Sequence, residues 1–171
     1  IAFEAKSNSA LRKANFLFSV VNIPLLSQLS TGAVKLGMTL RLPIRGIIKY
    51  TIFEHFCGGE TINESEHTIK ELGEYAIGTI LDYSVEGEED ESSFDRTRDE
   101  IIKTIEIAHM SENIPFSVFK VTGVAPTALL EKIQKKDTLT KEEEKSFERV
   151  KARVKSICSK AYEYSVPILI D

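Results

Sequence analysis

The sequence is poor in cysteine and histidine, which limits the metal and disulfide chemistry that it can support. Its two cysteines, Cys57 and Cys158, form no CxxC pair, and its three histidines, His55, His67 and His109, lie in no metal-binding motif. Structural zinc sites are built from closely spaced cysteines and histidines, and disulfides are typical of oxidising compartments. The sequence therefore argues against a metal site and indicates a reducing compartment.

Long apolar segments and a strong excess of one charge are also missing. The longest apolar run, residues 16–26, contains polar residues and a proline and is shorter than the ~20 residues of a membrane-spanning helix. The 22 basic and 26 acidic residues leave a net charge of −4. We therefore expect no transmembrane helix and no basic surface of the kind that attracts nucleic acid. The composition, 42% hydrophobic and 28% charged, is typical of a globular domain.

Three motifs that carry nucleotide-binding or catalytic chemistry do not occur: GxGxxG, GxxxxGK[ST] and GxSxG. The first two bind phosphates on glycine-rich turns, and the third presents a nucleophilic serine on a sharp turn. The sequence therefore gives no support to a dinucleotide-binding domain of the doubly wound type or to a serine hydrolase.

Apolar residues recur at helical spacing over residues 10–56, in three blocks that are interrupted near Pro24 and again between Gly37 and Pro43. The last block places four isoleucines on one helix face, namely Ile44, Ile47, Ile48 and Ile52. A stripe of this kind usually packs against a larger body. We predict that residues 1–56 form a helical lead-in to the rest of the chain.

Three apolar segments rich in β-branched residues predict strands at residues 77–85, 116–122 and 166–171. Each is too short for a typical helix, and glycine or proline lies at or near the ends of each. Helical patterns separate the segments, so the predicted order is helices, strand, helix, strand, helices, strand.

N-cap residues mark the starts of the helices between these strands. Asn63 starts a helix before the first strand, Ser92 starts the next one, and Thr140 with a glutamate three residues later predicts a capping box. The helix that starts at Ser92 has a predicted buried stripe of Ile101, Ile102, Ile105 and Ala108. The acidic residues 86–91 are predicted to form a solvated loop.

Strands that alternate with helices pair in parallel through right-handed crossovers, which leaves an open doubly wound sheet or a closed barrel as candidate architectures. The missing dinucleotide motif and the acidic segment after the first strand favour the barrel, because acidic side chains would repel a pyrophosphate. The last predicted strand runs to the final residue and the first residue is isoleucine. We therefore expect truncation at both ends and only the first three strands of the barrel.

Each predicted strand ends in an ionisable residue: Glu86, Lys120 and Asp171. Catalytic groups of a parallel barrel lie at the carboxyl ends of its strands, where the loops converge. A charge beside apolar layers needs a partner or a ligand, so three such groups at one mouth indicate a polar ligand site. A structural ion pair between Lys120 and Asp171 explains the pattern equally well, and spacing alone leaves both interpretations open.

Four ordered segments resemble the proline dehydrogenase family: FCGGET at 56–61, ILDYSVE at 80–86, FKVTG at 119–123 and ILID at 168–171. The resemblance implies an α/β fold, a distorted (β/α)8 TIM barrel that holds FAD. Residues 57–171 would then form the first part of this barrel after the helical lead-in. The arginines that bind the substrate carboxylate in the family belong to later segments, so the resemblance implies that this fragment alone is inactive.

The resemblance also implies a reaction and roles for the three candidate residues. The reaction is the oxidation of L-proline to pyrroline-5-carboxylate, with electrons passed through FAD to a membrane quinone. Lys120 would pair with the substrate carboxylate, Asp171 would lie beside the flavin, and Glu86 would belong to an ion-pair gate over bound substrate. The resemblance further implies a peripheral association with a membrane. The expected location is the bacterial cytoplasm or the inner face of the cytoplasmic membrane, and the alternative is the mitochondrial inner membrane or matrix.

Other functions remain open at the level of sequence. A Schiff-base aldolase on the same kind of barrel would use Lys120 as its amine nucleophile. A folate-reducing flavin barrel is closer in chemistry, although the FCGGET and ILDYSVE segments favour the proline family. A non-enzymatic helical binding module would use the amphipathic helices of residues 10–56 to contact a partner, with the strands serving only as core.

Overall fold

The structure, a computed structural model, describes residues 3–4, 6–83, 85 and 90–171, except for the side chains of residues 25–30, 45, 47, 52 and 54. The chain divides into two compact units, Ile1–Glu71 and Leu72–Asp171. The first unit is helical in its described part, and the second combines helices with a small parallel sheet. The fold is therefore of the mixed helix and strand class that the sequence predicts.

The first unit begins with two helices that are separated where the sequence predicts a break, at Pro24. Pro24 is the first residue of the second helix, where its missing N–H costs no hydrogen bond. The helical elements are α1 (Asn8–Val21), α2 (Pro24–Thr39), α3 (Arg45–Ile48), a π-helical turn (Lys49–Phe53), α4 (Glu54–Phe56) and α5 (Ile62–Gly73), the last of which continues into the second unit.

The start of α5 explains part of the FCGGET segment and corrects one prediction. Thr61, not Asn63, caps the helix: its Oγ1 accepts a hydrogen bond from the Glu64 N–H at 3.2 Å. In return, the Glu64 carboxylate accepts one from the Glu60 N–H at 3.0 Å. Thr61 and Glu64 have the same three-residue spacing that Asn63 and Glu66 have, so spacing alone did not distinguish the two sites. A Cβ on Gly59 would lie 2.8 Å from the Ser65 nitrogen, so this turn requires glycine.

The second unit contains three parallel strands in the order β1-β2-β3, the order in which they occur in the chain. Its elements are β1 (Ile80–Leu81), α6 (Glu91–His109), β2 (Phe116–Phe119), a 3-10 turn (Val121–Gly123), α7 (Thr127–Lys135), α8 (Lys141–Glu163) and β3 (Ile168–Ile170). Helix α6 connects β1 to β2, and α7 and α8 connect β2 to β3. The predicted alternation of strands and helices is confirmed.

All three strands are shorter than the apolar segments that predict them. Pairing of β1 with β2 covers only Ile80 and Leu81. The preceding residue, Thr79, donates its N–H to the carbonyl of Asn113, in the turn before β2, at 2.8 Å. An apolar, β-branched composition marks a strand, but the number of paired residues depends on the neighbouring strand.

The core of the second unit lies between the sheet and α6, with α8 packed against α6. Phe94 and Ile105 of α6, Phe119 of β2 and Ile157 of α8 are all at most 1% exposed. Each such side chain contributes ~1.5–3 kcal/mol by leaving water. The predicted stripe of α6 is confirmed, except that Ile102 is only half-buried.

The N-termini of the two long helices are capped by side chains. The capping box that the sequence predicts at Thr140 is confirmed, with Glu143 as its second member. Helix α6 is capped by Asp90 rather than by the predicted Ser92, and the Asp90 side chain accepts from the Ser93 N–H at 2.9 Å. Hydrogen bonds from the hydroxyls of Ser92 and Ser93 and from that N–H hold the pKa of Asp90 well below its usual value. Residues 86–89 of the predicted acidic loop lie outside the described residues, and Asp90 and Glu91 belong to the cap and first turn of α6 instead.

Candidate functional site

The two faces of the sheet differ in how they are covered. On one face, Ser117 and Phe119 are each 1% exposed beneath α6, and the Ser117 hydroxyl shares a hydrogen bond of 3.1 Å with Thr104 of that helix. The opposite face, called the open sheet face below, consists of Ile80, Phe116, Val118 and Leu169. Three of these side chains, all except half-buried Val118, are 39–47% exposed. The structure therefore has an accessible apolar surface directly on its parallel strands.

Lys120 and Asp171 lie at the carboxyl edge of this open sheet face. They follow directly on β2 and β3, whose last residues, Phe119 and Ile170, are partners in the parallel register. The Asp171 N–H donates to the Phe119 carbonyl at 3.1 Å, which extends the pairing by one residue. Alternation along the strands then places both side chains on the same side as Val118.

The two side chains form an ion pair, with 3.5 Å between Lys120 Nζ and Asp171 Oδ2. Their side chains are 33% and 69% exposed, so both can be reached from solvent. The structure thus brings together two of the three residues that the sequence selects. A ligand with its own carboxylate could approach the ammonium from solvent, because the lysine side chain is one-third exposed.

The turn after β2 determines where Lys120 is held. The Gly123 N–H donates to the Lys120 carbonyl at 3.0 Å and closes the 3-10 turn. A Cβ on Gly123 would lie 3.0 Å from the Val85 carbonyl oxygen and 3.3 Å from Thr97 Cγ2. The FKVTG segment therefore ends in glycine because the segment after β1 and helix α6 both approach the turn closely.

Glu86, the third predicted site residue, lies outside the described residues, so its position relative to Lys120 and Asp171 remains a prediction. The described neighbours are Asp82 and Tyr83, which directly follow β1 and are exposed, and half-buried Val85.

A buried arginine near the site is missed by sequence reasoning. Arg153 of α8 is 3% exposed and donates to Asp95 Oδ1 at 2.8 Å, to the Val124 carbonyl at 3.3 Å and to the Glu91 carboxylate. Arg149 donates to the same Glu91 carboxylate at 2.8 Å. Arg149 and Arg153 together lower the pKa of Glu91 to about 2, against the opposing effect of partial burial.

Helix α8 is rich in charged residues, most of them exposed, so its sequence does not single out Arg153 as the buried one. A signal does exist, because Arg153 has helical spacing with Val150, Ile157 and Ala161, the other buried residues of α8. Its guanidinium also lies over the Phe94 ring, 5.4 Å from the centroid. The cation thus links α8 and α6 to Val124, which directly follows the turn that holds Lys120.

Two further properties bear on the chemistry of the described residues. Within them, histidine, cysteine, aspartate and glutamate side chains form no group of three that could hold a metal ion. None of the helices in this part of the chain is both long and apolar enough to cross a membrane.

Comparison with known proteins identifies the family. A family model described as proline dehydrogenase matches residues 65–171. The chain belongs to the proline dehydrogenase family. The proline dehydrogenase match begins within α5 and includes all three strands, Lys120 and Asp171. The FCGGET segment precedes it.

Individual relatives agree with the family match but are much longer than this chain. Proline dehydrogenase 1, mitochondrial, of Dictyostelium discoideum is 35% identical over 134 residues, which cover 77% of this chain and 23% of that protein. Proline dehydrogenase 1, mitochondrial, of Arabidopsis thaliana is 28% identical over 183 residues, which cover 85% of this chain and 36% of that protein. The carbapenem antibiotics biosynthesis protein CarD of Pectobacterium carotovorum is 28% identical over 116 residues, which cover 68% of this chain and 31% of that protein. The chain thus spans between a quarter and about a third of these relatives, and no solved structure matches it.

Proposed function

We propose that the protein to which this chain belongs oxidises L-proline to pyrroline-5-carboxylate, with FAD as its cofactor and a quinone as its electron acceptor. The observation that carries this proposal is that Lys120 and Asp171, both accessible at the carboxyl edge of the open sheet face, lie within the residues that the proline dehydrogenase family model matches. Membership of the proline dehydrogenase family supports the substrate class.

The arrangement of the second unit supports a (β/α)8 barrel in the whole protein. Its strand order, β1-β2-β3, has no reversal, whereas a doubly wound sheet reverses its order at the ligand site. In a barrel the helices form an outer ring and the inner strand face is filled by apolar side chains from all eight strands. The open sheet face corresponds to such an inner face. We assign residues 1–56 to the helical lead-in and residues 57–171 to the first part of the barrel.

Lys120 is the residue that we expect to bind the substrate. Proline carries a carboxylate at neutral pH, and a fixed ammonium can both bind it and orient the ring. Two contacts hold Lys120: the turn closed by Gly123 fixes its backbone, and Asp171 contacts its side chain. Asp171 also offsets the positive charge when no carboxylate ligand is bound.

The residues at this edge fit a flavin as well as a carboxylate. The ring system of a flavin is flat and largely apolar, with polar atoms at its edge, and the open sheet face combines apolar side chains with the accessible carboxylate of Asp171. When bound, FAD would accept the hydride from the carbon next to the proline nitrogen. Asp171 would hold the polar edge of the cofactor, and Glu86 would contribute to a gate over the substrate.

The test is a steady-state assay of the full-length protein with L-proline and a soluble dye acceptor. Lys120→Ala should raise KM and lower kcat/KM for proline by about 10- to 100-fold, the equivalent of one charge-assisted contact. Lys151→Ala is the matched control, because Lys151 lies on α8 and pairs with Glu148 of the same helix. A parent protein without flavin or proline-dependent dye reduction would contradict the proposal.

Two of the rival functions, the aldolase and the helical binding module, give different results in the same protein. A Schiff-base aldolase would form an imine at Lys120, which borohydride traps as a covalent adduct detectable by mass spectrometry. A helical binding module would show no dye reduction that depends on Lys120. Family membership favours the dehydrogenase over both.

We also expect a peripheral association with the membrane that contains the quinone. Of the two compartments that the sequence leaves open, the mitochondrion fits the relatives of Dictyostelium discoideum and Arabidopsis thaliana, which are named as mitochondrial proteins.

A further inference from the structure

Charge is distributed very unevenly along the chain. Residues 5–53 contain seven basic residues and no acidic one. All 26 acidic residues and the other 15 basic residues lie outside this range, so the rest of the chain carries a net charge of −11. The basic residues belong to the first unit, whose helices also contain many exposed apolar side chains. A basic segment with exposed apolar groups has the composition of a surface that binds anionic lipid.

The exposed apolar side chains of this unit include four at the end of α2 and in the turn that follows it, called the apolar tip below. It consists of Leu36, Met38, Leu40 and Leu42, whose side chains are 53–66% exposed. Two exposed cationic residues, Lys35 and Arg41, are interleaved with them. Large apolar side chains at this density are unusual on a surface that faces only water.

The apolar tip is an ordered turn and not a frayed helix end. The N–H of Leu40 donates to the Leu36 carbonyl at 2.9 Å, and that of Leu42 donates to the Gly37 carbonyl at 2.9 Å. Gly37 is buried, and a Cβ there would lie 3.0 Å from Ile44 Cδ1, so the glycine lets the chain fold back closely. Arg41 adopts the left-handed conformation, with φ of 54°, which completes the reversal.

We propose that the apolar tip docks on the surface of an anionic bilayer, with its leucines and methionine in the interface and Lys35 and Arg41 against lipid phosphates. Charge complementarity favours this partner, because each basic residue near an anionic membrane adds ~1 kcal/mol of attraction. A stable protein interface buries ~800 Å² on each side, more than four side chains supply. This inference deepens the membrane part of the proposed function and is independent of the catalytic part.

The experiment is sedimentation of the full-length protein with vesicles of phosphatidylcholine alone or mixed with phosphatidylglycerol. Binding is expected to the mixed vesicles only and to weaken as salt is added. Replacing two cations, Lys35→Gln with Arg41→Gln, should weaken binding roughly 30-fold. Leu40→Asp with Leu42→Asp should abolish it.

The matched control variant changes two apolar residues of the second unit that are even more exposed, Met110→Asp with Tyr162→Asp, at 72% and 89%. It should bind like the parent, and circular dichroism confirms that each variant is folded. Equal binding to neutral vesicles, or unchanged binding by both tip variants, would overturn the proposal. A parent that ignores vesicles but self-associates through the tip would identify a second copy as the partner and overturn it as well.

The catalytic and membrane proposals fail in different ways. The tip variants should reduce a soluble dye with L-proline as fast as the parent, because the dye needs no membrane. Vesicle binding without proline oxidation would contradict only the catalytic proposal, and proline oxidation without vesicle binding would contradict only the inference about the tip.

Discussion

At the scale of single residues, position on a parallel strand accounts for the candidate site. Lys120 and Asp171 meet because each is the first residue after its strand and the two strands are in register. Gly123 closes the turn behind Lys120 where a side chain would meet the Val85 carbonyl at 3.0 Å. The register of two strands and one glycine turn thus place a charged pair beside an apolar surface.

The Glu91–Arg153 interaction predicts a pH dependence of stability. The two arginines hold the pKa of Glu91 at about 2, below its ordinary value of 4.5. Because the folded-state pKa is lowered, this contribution to stability is complete above about pH 4.5 and is lost as the pH falls towards 2. We expect Glu91→Gln to reduce the slope of the unfolding free energy against pH in this window, as measured by urea denaturation.

A matched control for this measurement is Glu148→Gln, which changes a glutamate on the exposed side of α8. Some slope should remain in Glu91→Gln, because Lys132 and the Thr140 N–H also lower the pKa of Glu143 to about 2. An unchanged slope in Glu91→Gln would contradict the assigned role of Glu91.

At the scale of secondary structure elements, local signals predict where several helices begin. The capping box at Thr140 is present as predicted, whereas the caps of α5 and α6 lie two residues before the predicted ones, at Thr61 and Asp90. N-cap residue types recur within a few positions of one another, so composition locates a helix start to within about two residues.

The capping box gives a direct test at this scale. Thr140→Ala removes the oxygen that accepts from the Glu143 N–H, so the free energy of unfolding should fall by ~1 kcal/mol. Thr140→Ser should retain most of the stability, because it keeps the hydroxyl. Thr138→Ala, two residues earlier and exposed, is the control. Equal loss in Thr138→Ala and Thr140→Ala would show that the box contributes nothing specific.

At the scale of the whole molecule, the open sheet face is the surface on which the proposed barrel would close. Its side chains Ile80, Phe116 and Leu169 are 39–47% exposed, whereas Ser117 and Phe119, on the other face of β2, are 1% exposed. In a closed barrel such residues meet those of the remaining strands.

We therefore predict that the 171-residue chain by itself retains little FAD and does not oxidise L-proline, because three strands cannot enclose a cofactor. Flavin absorbance after size-exclusion chromatography and dye reduction with L-proline measure the two properties, with the full-length protein as positive control. Proline-dependent turnover by the isolated chain would show that the remaining strands are dispensable.

Sequence alone determined the helical start, the alternation of strands and helices, and the protein family. It also placed Lys120 and Asp171 directly after their strands. These features follow from periodicity and short motifs, which act over a few residues. Tertiary structure decided the strand lengths, the contact between Lys120 and Asp171, and the burial of Arg153, which bonds to Asp95 from 58 positions away. Such contacts join residues that are distant in the chain, and only the folded arrangement of strands and helices brings them together.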